Sequence, residues 1–140
     1  MSVQATVTFK EAVRFEAVAD SGHTVTIDGP EAAGGRNAGF RPMELMLLGM
    51  AGCMSLDVVL ILQRMRKQVT SYTVHVTAER AEDPPRVYTE ATLEHVIGGP
   101  GLDAASVQRA IELSETTYCS GTAMFAKTAK VTNRFRLLAG

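Results

Sequence analysis

The chain reads as an α+β protein. Three observations predict this: period-two alternation of apolar and polar residues at the start, one long apolar helical run before the midpoint, and renewed alternation followed by two shorter helical segments. In order, the elements read βββ-α-ββ-α-(α)-β.

Residues 3–9 set Val3, Ala5, Val7 and Phe9 against Gln4, Thr6 and Thr8, the pattern of a half-buried strand. Val13–Val18 and His23–Ile27 read as two more strands, parted by the turn signal Asp20-Ser21-Gly22. Asp28–Phe40 holds four glycines and a proline and reads as a loop. Pro42 suits the first position of a helix and Glu44 its first turn, and this helix is expected to run to about Lys67. Alternation returns over Val69–Ala81, breaks at Asp83-Pro84-Pro85, resumes over Arg86–Ile97 and ends at Gly98-Gly99-Pro100-Gly101. Asp103 can cap a second helix with the stripe Val107, Ala110, Ile111 and Ser114. Ser120–Lys127 reads as a short third helix and Val131–Leu138 as the last strand.

With 140 residues, 46% of them hydrophobic, the chain can fill a core of its own, and residues 1–140 read as a single domain. A net charge of −1 leaves no electrostatic footprint for nucleic acid or an anionic membrane. Arg64, Arg66 and Lys67 cluster at a helix end, where cations suit the macrodipole. The first residues lack the basic and apolar regions of a signal peptide. The longest uncharged apolar run, Leu45–Leu56, stops at Asp57, short of the roughly 20 residues a membrane span needs. The expectation is a buried core helix in a soluble cytoplasmic protein, where thiols are kept reduced.

A helix over residues 42–67 would be about 39 Å long, against a radius of gyration of roughly 14 Å for a domain of this length. Its first half is apolar nearly all round, and one small sheet covers only one side. A partner chain on the other side resolves the conflict, so an obligate homodimer is expected.

The chemistry centres on Cys53, inside the long helix, and Cys119, which closes the second helical pattern at Thr117-Tyr118-Cys119-Ser120-Gly121. They stand 66 positions apart (119 minus 53), which excludes a local CxxC motif or zinc knuckle. Two readings stay open: inert buried thiols, or a redox pair assembled by the fold. Gly49 and Gly52 each cost roughly 1 kcal/mol inside a helix. Close approach of the helix carrying Cys119 would explain them. Asp57, one turn after Cys53, would oppose a thiolate, so an activated Cys53 needs a cation, with Arg14, Arg36 and Arg41 as candidates. Glu44 lies nine residues before Cys53, on the opposite helix face. It either favours the helix N-terminus or serves a site with the partner's cysteine.

His23, His75 and His95 are isolated and show no ligand spacing such as HExxH, which argues against a metal site. GxSxG and a phosphate-binding loop are absent, and no cofactor motif is found. The methionines of the long helix read as core filling.

The segment Phe40-Arg-Pro-Met-Glu-Leu-Met-Leu-Leu-Gly-Met-Ala-Gly-Cys53, with Asp57-Val-Val-Leu-Ile-Leu-Gln-Arg-Met-Arg66 and Leu113-Ser-Glu-Thr-Thr-Tyr-Cys119, resembles the OsmC/Ohr family of thiol-dependent peroxidases, most closely its YhfA-like branch. The resemblance covers essentially the whole chain. It implies antiparallel sheets around a long central helix in an intertwined homodimer. It also implies a cysteine-based peroxidase acting on organic hydroperoxides. Cys53 would become a sulfenic acid and condense with Cys119 to a disulfide. A dithiol reductant, lipoyl- or thioredoxin-like, would restore the pair. The Ohr-type glutamate directly after the proline is Met43 here, and Glu44 follows it. The catalytic arginine falls to Arg36 or Arg41, with Arg14 a further candidate. Two alternatives remain: a non-enzymatic, redox-responsive protein holding an apolar ligand at the dimer interface, and a structural dimer with inert thiols.

Overall fold

A computed structural model describes residues 1–139 and divides them into two compact units, the first covering Met1–Leu47 and the second beginning at Leu48. The element order is the expected one, with a 3₁₀ turn at Glu31–Ala33 and a π-helical turn at Ser114–Tyr118 added.

In the first unit, β1 (Ala5–Glu11), β2 (Arg14–Ala19) and β3 (Thr24–Ile27) form an antiparallel meander in that order. Phe9 pairs with Phe15, their rings edge-on at 5.6 Å, and a bulge beyond Phe9 leads into the turn at Ala12. Alternation predicted a half-buried β1, and the structure corrects this: every residue of β1 is exposed. An edge strand has a hydrogen-bonding neighbour on one side only, and within this unit nothing covers the apolar face of Val7 and Phe9.

The loop after β3 is organised by Asp28. Its buried carboxylate accepts backbone N–H bonds from Gly29 (2.8 Å), Arg36 (3.0 Å) and Ala38 (3.1 Å). Those donors, the Arg36 and Ala38 amides foremost, hold its pKa below the ordinary 3.8. A side chain at Gly35 would collide with the Gly29 carbonyl, so the loop closes this tightly only with glycine there.

Helix α1 spans Pro42–Arg64. At its start, Glu44 Oε1 accepts the Arg41 N–H at 2.7 Å, the return half of a capping box. It ends before the expected Lys67 because Arg66 turns left-handed (φ 61°). Lys67 N–H then bonds Leu62 O (2.9 Å) and Arg66 N–H bonds Gln63 O (2.9 Å), a Schellman closure.

By length and composition α1 could cross a membrane, with a mean hydropathy of 2.3 over its most apolar stretch, so stopping the apolar run at Asp57 understated it. One face is buried through Met50, Ala51, Met54, Val58, Ile61 and Leu62, as in the core helix of a soluble protein. On the other face Leu48, Leu56 and Leu60 are exposed, 62% in the case of Leu56, the side that one small sheet is expected to leave uncovered. A Cβ added at Gly49 or Gly52 would meet nothing within 4 Å among the described residues.

In the second unit, β4 (Ser71–Arg80), β5 (Tyr88–Gly98) and β6 (Lys130–Leu137) form a sheet in sequence order. The first pair is antiparallel; the second is parallel, Glu90–Ile97 beside Lys130–Leu137, which corrects the expectation of purely antiparallel sheets. The physical reason is the connection. Helices α2 (Ala104–Leu113) and α3 (Ser120–Phe125) carry the chain back along β5, the long crossover a parallel neighbour requires. Central β5 turns Ala91, Leu93, His95 and Ile97 to the core, where Met54, Val58, Leu62, Val107 and Ala110 are also buried. Full burial of a side chain like Leu62 or Leu93 contributes about 1.5–3 kcal/mol. Tyr88 stacks on Phe125 at 5.3 Å.

Asp103 caps α2 as predicted, accepting Ser106 N–H at 2.9 Å and Ser106 Oγ at 2.8 Å while pairing with Lys67 Nζ at 3.0 Å. Lys67 first and Ser106 second pull its pKa from 3.8 to about 2.

Candidate functional site

The site begins on α1. Cys53 and Asp57 are one turn apart, so they share a face, and both are half-buried. Cys119 arrives from the far end of α2. That helix loosens into the π turn, whose last bond joins Cys119 N–H to Ser114 O at 2.8 Å. Cys119 itself is extended (φ −75°, ψ 103°) and starts α3 as its cap. Its Sγ accepts hydrogen bonds from Thr122 N (3.3 Å) and Thr122 Oγ1 (3.1 Å).

The fold thus brings Cys53 and Cys119 together, with a carboxylate beside them. The two sulfurs and an Asp57 carboxylate oxygen all lie within 4.8 Å of one another, and both thiols are free. Ser114 Oγ donates to Asp57 Oδ2 at 3.1 Å, joining the π turn to α1. Cys119 is 3% exposed, and burial raises its thiol pKa above 9.0; the Thr122 bonds work against that rise, and the neighbouring Cys53 adds to it. Left alone near neutral pH, Cys119 is a thiol.

The close approach expected of Gly49 and Gly52 belongs to another residue. Gly121, in the first turn of α3, lies against α1: a Cβ there would sit 2.8 Å from Met50 Cα and 3.4 Å from Cys53 Cβ. Sequence reasoning missed Gly121, Ser114 and Thr122. Only Thr122, three residues after Cys119, carried a signal, since that is the spacing of a helix cap to its donor.

The remaining predicted residues belong to the first unit. Besides its bond to Arg41 N–H, Glu44 lines an open hollow of about 460 Å³ with Thr26, Asn37, Ala38, Gly39 and Phe40. The Arg41 guanidinium donates to Asn37 Oδ1 (3.1 Å) and Gly39 O (3.2 Å). Arg36 is exposed, and its backbone N–H is held by Asp28. Arg14 pairs with Glu11 at 3.2 Å across a turn.

His95, isolated in the sequence, is fully buried in the second unit. It joins the Tyr72 hydroxyl (2.6 Å, Nδ1) to Asn133 Oδ1 (2.9 Å, Nε2). Burial lowers the His95 pKa, the Asn133 bond opposing it, and burial raises that of Tyr72, which a Ser55 hydroxyl contact opposes. The trio joins neighbouring strands of the sheet to α1 through Ser55.

A family model described as OsmC-like protein matches residues 34–134. Protein YhfA of Escherichia coli (strain K12) is 36% identical over 140 residues, covering 98% of this chain and 99% of its own. A hypothetical protein from Aquifex aeolicus VF5 superposes with a TM-score of 0.82 at 23% identity, over 99% of both chains. An organic hydroperoxide resistance protein from Elizabethkingia anophelis superposes with a TM-score of 0.73 at 17% identity, over 99% of this chain and 97% of that one. The family match takes in Cys53, Asp57 and Cys119, and the α+β order is that of these neighbours: the chain belongs to the OsmC-like family.

Proposed function

We propose that the protein is a cytoplasmic, thiol-dependent peroxidase that reduces organic hydroperoxides through Cys53 and Cys119. The observation that carries this reading is the pair of free thiols within 4.8 Å of each other, brought together from positions distant in sequence. In the first step the Cys53 thiolate attacks the terminal oxygen of ROOH. The O–O bond breaks, ROH leaves with a proton, and Cys53 becomes a sulfenic acid. In the second, Cys119 gives up its proton and attacks the Cys53 sulfur, expelling water and forming the disulfide. A dithiol of the lipoyl or thioredoxin type then reduces the disulfide, restoring both thiols and leaving as its own disulfide.

The burial of Cys119 suits the resolving role, since a buried thiol with a raised pKa competes poorly for peroxide. Disulfide formation needs the sulfurs to close to about 2.05 Å from a starting separation within 4.8 Å. In this reading Glu44 and an arginine, Arg36 or Arg41, supply the charge that activates Cys53. The bare apolar face of α1 supports a homodimer. The family match runs across both units, which supports treating residues 1–140 as one functional domain.

The test is peroxide consumption by reduced protein with an alkyl hydroperoxide and a dithiol. Wild type turns over. Cys53→Ser consumes none, and Cys119→Ser accumulates sulfenic acid, trapped by a dimedone probe. Full turnover in Cys53→Ser overturns the proposal. Slow stoichiometric oxidation of wild type without turnover would favour a redox-responsive apolar-ligand protein instead.

A further inference from the structure

We propose that the reduced site is also a binding site for a thiophilic divalent cation, with Zn²⁺ the best match, held by Cys53 Sγ, the Asp57 carboxylate and Cys119 Sγ. The site stands on the placement of these three side chains and does not depend on the peroxidase reading.

The geometry is the first argument. Three donor atoms of zinc-binding type lie within 4.8 Å of one another. Around a tetrahedral zinc, with Zn–S near 2.3 Å and Zn–O of 2.0–2.2 Å, such donors stand roughly 3.5–3.8 Å apart. The site needs to close by only about 1 Å to reach that geometry. Helix α1 fixes the backbone of Cys53 and Asp57 on one face, so side-chain rotation of the three ligands makes the adjustment.

Charge is the second argument. A carboxylate beside two sulfurs repels negative charge there, which makes the trio a poor host for a bare dithiolate. A dication reverses this: two thiolates neutralise it and the carboxylate leaves one negative charge. Thiolate with carboxylate selects borderline and soft ions over Mg²⁺ or Ca²⁺.

The third argument is the surrounding layer. Ser114 Oγ donates to Asp57 Oδ2, which orients the carboxylate and leaves Oδ1 for the ion. Thr122 donates twice to Cys119 Sγ, bonds that strengthen when the sulfur carries charge. Three protein ligands leave the fourth position to water. Binding displaces other waters from the ion and releases the protons the thiols carry, with no electron transferred. Joining the sulfurs in a disulfide removes two of the three ligands, so the oxidised protein releases the ion.

The experiment is an anaerobic titration of the reduced, full-length protein with Co²⁺ alone, followed by Zn²⁺ competition. Wild type is expected to bind one Co²⁺ per chain, with a near-ultraviolet thiolate-to-cobalt band, tetrahedral visible bands and release of protons. Zn²⁺ abolishes both sets of bands. Asp57→Asn keeps the thiolates and weakens binding by about tenfold or more. Cys53→Ser and Cys119→Ser each lose about half of the near-ultraviolet intensity. Ser114→Ala, which spares all three ligands, retains the band pattern. A wild type without the thiolate band, or an Asp57→Asn titration matching wild type, overturns the proposal. If Asp57→Asn does not fold, the two serine variants decide, and unchanged spectra in either overturn it. No peroxide is used, so failure of the peroxidase reading leaves these outcomes unaffected.

Discussion

Gly121 lies against the backbone of Met50, so near that a Cβ on residue 121 would stand 2.8 Å from Met50 Cα. Backbone at that distance cannot yield as a side-chain tip can. The contact fixes the approach of α3 to α1, and with it the distance from Cys119 to Cys53. Gly121→Ala is therefore expected to destabilise the protein by about 1–3 kcal/mol as the helices part. It should also slow disulfide formation. Denaturant unfolding and thiol counting after peroxide addition check both effects, and a variant as stable and as quick to close as wild type would contradict this account.

Gly49 and Gly52 are predicted to behave oppositely. A Cβ at either meets open space among the described residues, and alanine is favoured in a helix interior by roughly 1 kcal/mol. If Leu48, Leu56 and Leu60 pack against a second copy, as proposed, the same glycines lie in that contact. Leu56→Asp should then shift the protein from dimer to monomer in sedimentation, and Gly52→Ala should raise the dimer dissociation constant. A wild type that sediments as a monomer at all concentrations refutes the dimer.

The trio Tyr72–His95–Asn133, with His95 fully buried at its centre, predicts a pH dependence of stability. Burial holds the folded His95 pKa below 6.5, so above pH 6.5 the ring is neutral in both states and the contribution is complete. As the pH falls below 6.5 the unfolded chain takes up a proton that the folded chain resists, and stability declines. Thermal midpoints of wild type should fall from pH 7 to 5, and those of His95→Gln should fall less. Tyr72→Phe leaves His95 Nδ1 without its hydroxyl and should cost about 1–3 kcal/mol at neutral pH.

Asp103 acts in the acid range. Its folded pKa, lowered from 3.8 to about 2, gives a contribution that is present above pH 3.8 and lost as the pH falls toward 2. Asp103→Asn keeps a side-chain cap and removes the charge that meets Lys67. Between pH 4 and 2 the stability advantage of wild type over this variant should shrink; a constant difference would show that the charge plays no part.

Thr122→Val tests the bonds to Cys119. Valine removes the hydroxyl donor while the backbone N–H remains. The thiol then loses one of the groups that offset burial, so disulfide formation after peroxide addition should slow severalfold at pH 7 with little change in fold, measured by stopped-flow thiol loss.

Local physics made the element order legible. Alternation marked the strands, Pro42 and Glu44 the start of α1, and Asp103 the start of α2, because each signal acts within a few residues of itself. The same locality explains the errors. Alternation told which residues of β1 share a face, but not that Val7 and Phe9 on that face would lie uncovered. The apolar period of β6 is the same whether it runs parallel or antiparallel to β5; the returning helices chose parallel.

By itself, the sequence determined that two cysteines sit on or beside helices, that Asp57 shares a helix face with Cys53, and that the chain resembles a peroxidase family. Only the tertiary structure decided that Cys119 meets Cys53 and Asp57 within 4.8 Å, and that Gly121, rather than Gly49 or Gly52, is the close contact. The reason is that a helix fixes the spacing of residues along itself, whereas the distance between residues 53 and 119 depends on how β4, β5, α2 and the π turn pack in sum, which no local signal encodes.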